Sequence, residues 1–340
     1  MSQFTTNRVL VTGAAGFVGG ACAREFLRRG WQVVALVHRR EPEGLPGAMI
    51  VRAAVDDAQA VRDAIKAAGP LAAIVNCAGR ASDVGPAALF RASNYQGVAN
   101  IISAMANAPV GRLVHISTTD VYGLRDFHNA DESTPFEASP RNPYPRYKIA
   151  AEQAIAASLT PRQCVVLRPG VVWGPGDRTI LPRVVDFLRT SPRLIYFGRW
   201  RGQNRWPLAH VNNVAKAAFL AASCEECLGQ AYNVVDPEHT TYDHYNRLVL
   251  STFLPQRAGM KTLCLPMAAG RIIGKTSDIL TCLLRRQQPL FDPTTYALRS
   301  VSCNLDFSSA KLEQLMHAYG EQFTNSESGF RELAMLEVRG

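Results

Sequence analysis

The sequence predicts an α/β protein, a doubly wound parallel sheet carrying a smaller C-terminal lobe. Short β-branched runs alternate with longer, alanine-rich helical stretches through the first half of the chain. Three glycines at a spacing of three stand between the first of those runs and the first helical stretch. After Trp173 the alternation stops, and prolines and glycines become frequent. Regular alternation of strand and helix specifies right-handed crossovers between parallel strands, with helices on both faces of the sheet.

In chain order, Arg8 to Thr12 reads as a strand, Phe17 to Arg29 as a helix and Gln32 to Val37 as a second strand. Apolar runs at Ala72 to Asn76, Arg112 to Ser117 and Cys164 to Leu167 are separated by helical patterns at Asp57 to Ala67, Ala87 to Ala106 and Tyr147 to Ala157. Beyond Trp173, a helix at Val211 to Ala222 and a strand at Ala231 to Val235 read as returning to the body of the sheet. The expected body is therefore 1–173 with a returning segment at about 208–235, and the expected substrate lobe is 174–207 with 236–335.

Composition narrows the function. At 340 residues and 47% hydrophobic, the chain buries a substantial core. It contains no run of about 18 uncharged apolar residues, and Met1 to Arg8 lacks the apolar segment of a secretory signal. A soluble, cytoplasmic protein without a membrane span is expected. The eight cysteines are scattered through apolar segments, as buried reduced thiols are. Cys224 and Cys227 form the one C-x-x-C, and without a second such pair or a nearby His pair no metal site is expected. The formal charge is +9, yet the basic residues are spread as pairs such as Arg28/Arg29, Arg39/Arg40 and Arg285/Arg286 without interleaved aromatics. No nucleic-acid partner is expected.

The segment Val9-Leu-Val-Thr-Gly13-Ala-Ala-Gly16-Phe-Val-Gly19 is the most informative. Glycine allows a tight turn and close approach of backbone to a pyrophosphate, while the following helix presents unpaired N–H groups and the positive end of its dipole. At the first strand-to-helix junction of an alternating chain, the turn points to a dinucleotide cofactor. Gly13, Ala15, Gly16, Phe17, Val18 and Gly19 are the expected contacts.

Thr12 to Gly19 matches TGxxGFxG, and on this the chain resembles the extended short-chain dehydrogenase/reductases. That family includes nucleotide-sugar epimerases and dehydratases and the 3β-hydroxysteroid dehydrogenase-like enzymes. The resemblance covers most of the chain and implies a Rossmann body, an NAD or NADP cofactor and a small-molecule substrate, whether sterol-like, long-chain or a sugar nucleotide. Val37 stands where the NAD-type epimerases carry Asp, and His38, Arg39 and Arg40 follow it. Arg39 or Arg40 would hold a 2′-phosphate by charge-assisted hydrogen bonds, which favours NADP over NAD; a solvated arginine pair is the alternative. The family's G-D-x-x-D segment is replaced by Ala53-Ala54-Val55-Asp56-Asp57, which removes the adenine-contacting Asp from its slot and leaves Asp57 to cap the next helix. Asn76-Cys-Ala78-Gly79 resembles the family's loop flanking the cofactor. Leu167-Arg168-Pro169-Gly170 through Asp177 resembles R-P-x-x-V-Y-G-P-G-D, which implies that Pro169 and Val171 lie near the nicotinamide and Val172 near the substrate.

Tyr144-Pro-Arg-Tyr147-Lys148 places a phenol four residues before an ammonium, on one face of a helix. A free phenol titrates at about 10 and is a poor base at neutral pH, but positive charge from Lys148 and an oxidised nicotinamide favours the phenolate. Tyr144 would then take or return a substrate hydroxyl proton, with Tyr144 and Lys148 both beside the cofactor; Tyr147 has the wrong spacing. Alone, Y-x-x-x-K is an ordinary helix pair. Upstream, however, His115-Ile-Ser117-Thr118-Thr119-Asp120-Val121-Tyr122-Gly123 closes an apolar strand with hydroxyls, where ligands bind in a parallel sheet, and resembles S-S/T-x-x-V-Y-G. Thr118 matches the catalytic Ser/Thr that polarises the reacting oxygen, and Thr119 and Asp120 would face the substrate. Asn94, in Asn94-Tyr-Gln-Gly97, matches the Asn that braces the active-site backbone; a local turn or helix-packing amide is the alternative.

The dehydratases of the family read T-D-E-V-Y-G, using paired carboxylates for elimination. Thr119 and Asp120 occupy those two slots here, so one partner is missing and dehydration is not expected. The triad does not separate a dehydrogenase from an epimerase. Arg205-Trp206-Pro-Leu-Ala-His210 resembles the family's strand-to-helix return with the arginine displaced by one, so that Trp206 takes its spacing and both residues become candidate substrate contacts. Leu263 to Arg286 mixes aliphatic residues with Arg271, Lys275, Arg285 and Arg286 and looks like the apolar region near the C-terminus of the 3β-hydroxysteroid dehydrogenase-like branch. A core helix with a solvated basic face is the preferred reading of it, and an entrance for apolar substrates the other. The expected function is oxidoreduction of a secondary alcohol or ketone on a bulky substrate. A nucleotide-sugar epimerase is the alternative, and a dinucleotide-sensing binding module that has lost the triad is a third class, opposed by the presence of Thr118, Tyr144 and Lys148. Relatives pair two helices per subunit in four-helix interfaces, so Ala87 to Ala106 with Tyr147 to Ala157 would serve a homodimer.

Overall fold

The structure, a computed structural model, describes residues 7–284, 286, 289 and 291–337. Along the chain run the strands Arg8–Thr12 (β1), Gln32–Val37 (β2), Met49–Arg52 (β3), Leu71–Asn76 (β4), Val110–Ile116 (β5), Phe127–Ala130 (β6), Cys164–Pro169 (β7), Val171–Trp173 (β8), Leu194–Phe197 (β9), Leu208–His210 (β10), Ala231–Val234 (β11), Thr262–Leu265 (β12) and Leu305–Phe307 (β13). Between them lie the helices Phe17–Arg28 (α1), Ala58–Ala68 (α2), Ala87–Phe90 (α3), Gly97–Met105 (α4), Pro143–Ser158 (α5), Ile180–Thr190 (α6), Val211–Ser223 (α7), Tyr242–Phe253 (α8), Met267–Leu283 (α9), Thr295–Ser302 (α10), Ala310–Ala318 (α11) and Ser326–Glu337 (α12).

Seven strands form one sheet in the order β11-β7-β5-β4-β1-β2-β3, all parallel. The doubly wound parallel sheet expected from the alternation is therefore present, as is the Rossmann body the resemblance implies. Successive strand residues point to opposite faces and meet different helices. Val9, Val11, Ala73 and Val75 pack with α1 and α7, while Leu10, Ile74 and Leu113 pack with α2, α4 and α5. The chain leaves β1 toward β2 and β3, then returns to β4 on the other side, and the carboxyl ends of β1 and β4 flank this reversal, where open sheets of this kind bind ligands. A second core surrounds Trp173, Tyr196, Trp206, Tyr245 and Phe330, and a third surrounds Val121, Tyr122, Phe127 and Phe307. The two-stranded pairs β10–β8, β12–β9 and β13–β6 lie outside the main sheet.

Three elements differ from expectation in ways that matter for the site. The helix expected from Tyr147 starts at Pro143, capped by Asn142, whose Oδ1 accepts the Tyr144 N–H at 2.8 Å. Pro143 and Pro145 sit in the first turn, where a missing N–H removes no intrahelical bond. The run from Ala87 to Met105 is interrupted by a π-helical stretch over Arg91–Gln96. The segment from Leu263 to Arg286 is not a core helix. The inward face of α9 carries the small residues Gly270, Gly274, Ser277 and Thr281, whereas Ile272, Ile279 and Leu283 are 68%, 59% and 72% exposed. Arg285 lies outside the described residues. Among the described residues no helix is long and apolar enough to cross a membrane.

Candidate active site

The glycine turn joins β1 to α1. Gly13 adopts φ +65°, and a Cβ there would lie 3.1 Å from the Ala78 backbone. A Cβ on Gly19 would stand 2.2 Å from the Gly13 carbonyl oxygen, so only glycine lets the helix approach the turn this closely. Gly16 begins the helix without a side-chain cap, leaving its first-turn N–H groups free of any side-chain acceptor. Ala15, Gly16, Phe17 and Val18 are half-buried. This arrangement fits a diphosphate: uncapped N–H donors, the positive end of a helix dipole, and no Cβ in the way.

Behind the turn, polar groups fix the neighbouring strand end. Thr12 Oγ1 donates to Asn76 Oδ1 at 2.6 Å and accepts the Ala78 N–H at 3.0 Å. Because Asn76 Oδ1 accepts, its Nδ2 donates to His115 Nδ1 at 3.2 Å, which leaves the ring proton on Nε2. Burial, helped by the charge on Lys148, pushes the His115 pKa well down and keeps the ring neutral. His38, Arg39 and Arg40 are exposed just past β2, beside the turn, where the Ala14 N–H donates to the Leu36 carbonyl at 3.3 Å. Neither Arg39 nor Arg40 forms an ion pair among the described residues. Asp57 caps α2, its Oδ1 accepting from the N–H groups of Gln59 and Ala60 at 2.9 and 3.0 Å, which stabilises the helix by about 1 kcal/mol.

Thr118, Tyr144 and Lys148 converge beyond the carboxyl end of β5. Tyr144 and Thr118 share a side-chain hydrogen bond. Lys148 is buried and donates to the Ile116 carbonyl at 2.7 Å. Burial lowers its pKa to about 8, against the opposing influence of Cys77 and Glu152. The phenol differs from expectation. Burial first, and the Asp120 carboxylate second, raise the Tyr144 pKa, and the bond to Thr118 offsets this only in part. With the ammonium turned to a backbone carbonyl, the phenol of this chain alone stays protonated at neutral pH.

A buried network supports the same strand ends. Arg168 Nη2 lies 2.7 Å from Glu152 Oε2, Ser117 Oγ donates to Glu152 Oε1 at 2.5 Å, and Arg168 Nη1 donates to Tyr122 Oη at 2.8 Å. Removing either partner of such a pair leaves an uncompensated buried charge, which costs about 3–5 kcal/mol. Asn94 emerges from the π-helical stretch to hold the loop after β4: its Oδ1 accepts the Arg80 N–H at 2.6 Å and its Nδ2 donates to the Arg80 carbonyl at 3.0 Å. A Cβ on Gly79 would meet Asn94 Oδ1 at 2.9 Å and Lys148 Nζ at 3.5 Å, so this loop runs against both residues.

The model of the NAD dependent epimerase/dehydratase family matches residues 9–234. The chain belongs to this family. It is 35% identical over 242 residues to the 2-alkyl-3-oxoalkanoate reductase of Stenotrophomonas maltophilia, a match covering 68% of this chain and 71% of that one. It is 26% identical over 246 residues to the decarboxylating sterol-4-alpha-carboxylate 3-dehydrogenase of Homo sapiens, covering 70% of this chain and 64% of that one. In fold it is similar to the UDP-glucose 4-epimerase of Thermus thermophilus, with a TM-score of 0.70 at 24% identity over 98% of this chain and 99% of that one. The protein is an NAD-dependent enzyme of the oxidoreductase and epimerase kind that the family comprises.

Within this family member, not every expected residue reaches the cleft. Pro169 is buried at the end of β7, and Val171 and Val172 are half-buried in β8, which pairs with β10. Thr119 is buried, with Asp120 half-buried beside it. Arg205 is exposed and bonds the His239 carbonyl, and Trp206 is buried against Tyr242 and Tyr245 in the second core. Neither lines the cavity of about 680 Å³ that opens between Asp120, Pro143, Pro145, Thr281 and Tyr296. The aromatic content of the second core explains the displacement, because Trp206 completes it.

Two residues that motif reasoning passed over do reach the cleft. Tyr296, in α10, donates its hydroxyl to Asp120 Oδ2. Burial raises the Asp120 pKa while this bond draws it down. Asp83, in the loop after β4, accepts from Thr294 Oγ1 at 2.7 Å and pairs with Arg183 at 3.2 Å. No local pattern marks either one.

Proposed function

We propose that this enzyme interconverts a secondary alcohol and a ketone on a bulky, largely apolar substrate, with Tyr144 carrying the proton. The observation that carries the reading is the convergence of the hydrogen-bonded Tyr144 and Thr118 with the buried Lys148 beyond one strand end. NADP, or NAD in its place, supplies or accepts the hydride when bound. Its diphosphate would rest on the turn from Gly13 to Gly19, its adenosine end near His38, Arg39 and Arg40, and its nicotinamide end near Ala78, Gly79, Pro169 and Val171. The exposed arginine pair and Val37 in place of an acidic residue at the end of β2 support NADP.

Tyr144 is held protonated by burial and by Asp120, which suits an acid that delivers a proton to a developing alkoxide. Thr118 Oγ1 would hold the same oxygen and reduce the charge building on it. Lys148, cationic below about pH 8, would orient the cofactor and draw the phenol toward its anion once the substrate is reduced. Asn94 is a positioning residue, since it acts on the Arg80 backbone. Thr119, Asp120 and Val172 are the proposed substrate contacts. The substrate class follows from the reductase and sterol dehydrogenase among the relatives and from the roomy cavity at the second lobe. We further propose a nucleotide-binding body of 1–173 with the returning segment, a substrate lobe from the remainder, a homodimer and a cytoplasmic setting.

The test is a set of turnover assays of purified protein with NADPH and with NADH. The panel holds long-chain 3-oxoalkanoates, 3-ketosteroids and UDP-sugars. Loss of nicotinamide absorbance with the first two classes is expected. Turnover of UDP-sugars alone, without net change in absorbance, would establish an epimerase instead.

A further inference from the structure

The helix α9 is inverted relative to an ordinary surface helix. Its packed face uses Gly270, Gly274, Ser277 and Thr281, at positions i, i+4, i+7 and i+11. A Cβ on Gly270 would lie 2.8 Å from Leu298 Cδ1, and one on Gly274 3.0 Å from the Thr295 backbone nitrogen, so small residues bring α9 directly onto α10. Its large aliphatic side chains point the other way. Ile272, Ile279 and Leu283, at 68%, 59% and 72% exposure, fall on one line along the helix. Leu284 at 58% continues the strip past the helix end, and Leu263 on the adjacent β12 is 38% exposed. A helix that buries its small residues and exposes its isoleucines has its apolar stripe facing a further surface.

Charge identifies that surface. Arg271 and Lys275 are exposed one turn apart beside the aliphatic line, and Arg286 is exposed just beyond it. Neither Arg271 nor Lys275 has an ion-pair partner among the described residues. The only acidic residue of α9, Asp278, is committed to the Thr295 N–H at 3.3 Å at the start of α10. Two copies of this face brought together would oppose cation to cation with no carboxylate between them. An apolar strip flanked by unpaired cations instead complements an anionic lipid surface, with the aliphatic side chains at the acyl boundary and the cations at the headgroups.

We propose that the outer face of α9 docks this enzyme onto anionic bilayers. The same helix, at Asp278, Thr281 and Cys282 on the side that carries Arg271 and Lys275, lines the cavity that holds Asp120 and Tyr296, and Arg286 lines it just beyond the helix end. Docking therefore sets the mouth of the cleft at the membrane, and an apolar substrate enters from the acyl phase without crossing water. That last step rests on the substrate class proposed above; the docking itself does not.

Flotation of the full chain with vesicles tests the docking and reads no turnover, so failure of the turnover assays leaves it intact. Vesicles of phosphatidylcholine with equal phosphatidylglycerol are compared with vesicles of phosphatidylcholine alone. Preferential binding to the anionic vesicles is expected, by about fivefold for each cation engaged. Arg271→Glu/Lys275→Glu should abolish the preference, and Ile279→Glu/Leu283→Glu should abolish binding. Both pairs are exposed, so the melting temperature should move by no more than about 2 °C. The proposal is overturned if the wild type floats with neither vesicle or if Ile279→Glu/Leu283→Glu binds as the wild type does. It is equally overturned if light scattering finds a dimer that this variant dissociates while no vesicle is bound, since a second copy would then cover the face.

Discussion

Two walls of the cleft are built in opposite ways. The wall at the sheet's carboxyl ends is assembled from short stretches of chain: Asp120, Pro143 and Pro145 line the cavity, and Thr118, Tyr144 and Lys148, their neighbours in sequence, lie within 31 residues on one strand end and one helix. The facing wall is assembled over distance, since Tyr296 of α10 reaches Asp120 across 176 residues. Under the proposed mechanism the first wall fixes atoms that meet at a reacting bond, and buried polar networks lock it. The second bounds a cavity. Chemistry is thus written in spacing, and substrate choice is written in packing.

Four predictions sharpen or break this contrast. Tyr144→Phe should lower kcat for ketone reduction by about 10³-fold while leaving dinucleotide affinity within about twofold, measured by stopped-flow and by fluorescence titration. A comparable loss from Tyr147→Phe would disprove the assignment. The second concerns Lys148, which is cationic below its lowered pKa of about 8 and neutral above it. Reduction should therefore be flat at neutral pH and fall about tenfold per unit above about pH 8, and Lys148→Arg, which retains its charge, should remove that alkaline limb. Third, Arg39→Ala/Arg40→Ala should raise the KM for NADPH by about tenfold and leave that for NADH unchanged, because only the former loses charge-assisted bonds. Equal losses would mean the pair is merely solvated. The smallest effect is expected from the distant wall: Tyr296→Phe should shift the ketone KM by about fivefold with kcat little altered. A collapse of kcat there would erase the division between the two walls.

What was legible in the sequence follows the same line. The glycine turn, the sheet and the four-residue spacing that puts Tyr144 and Lys148 on one helix were readable because each is fixed by residues near one another in sequence. α5 begins four residues before the expected Tyr147, because Asn142 caps it and a first turn accepts both Pro143 and Pro145. β3 escaped because it is a four-residue edge strand, largely exposed, with no alternation to detect. Trp206 was drawn to the substrate by its spacing from His210, whereas Tyr242 and Tyr245, both more than thirty residues further on, claim its ring for a core. In α9 the aliphatic residues suggested burial, but glycines at Gly270 and Gly274 allow an approach that only small residues permit, which turns the large ones outward.

The wide turn around Asn94 has a consequence of its own. A π-helical stretch holds one more residue than an α-helical turn of the same span. Any variant that closed Arg91–Gln96 into ordinary helix would rotate position 94 by about 100° about the axis. The loop bearing Gly79 and Arg80 would then lose both of its amide tethers at once, even though no atom at the strand ends had been altered. For this enzyme, the length of one helix is as much a part of the site as the identity of any side chain in it.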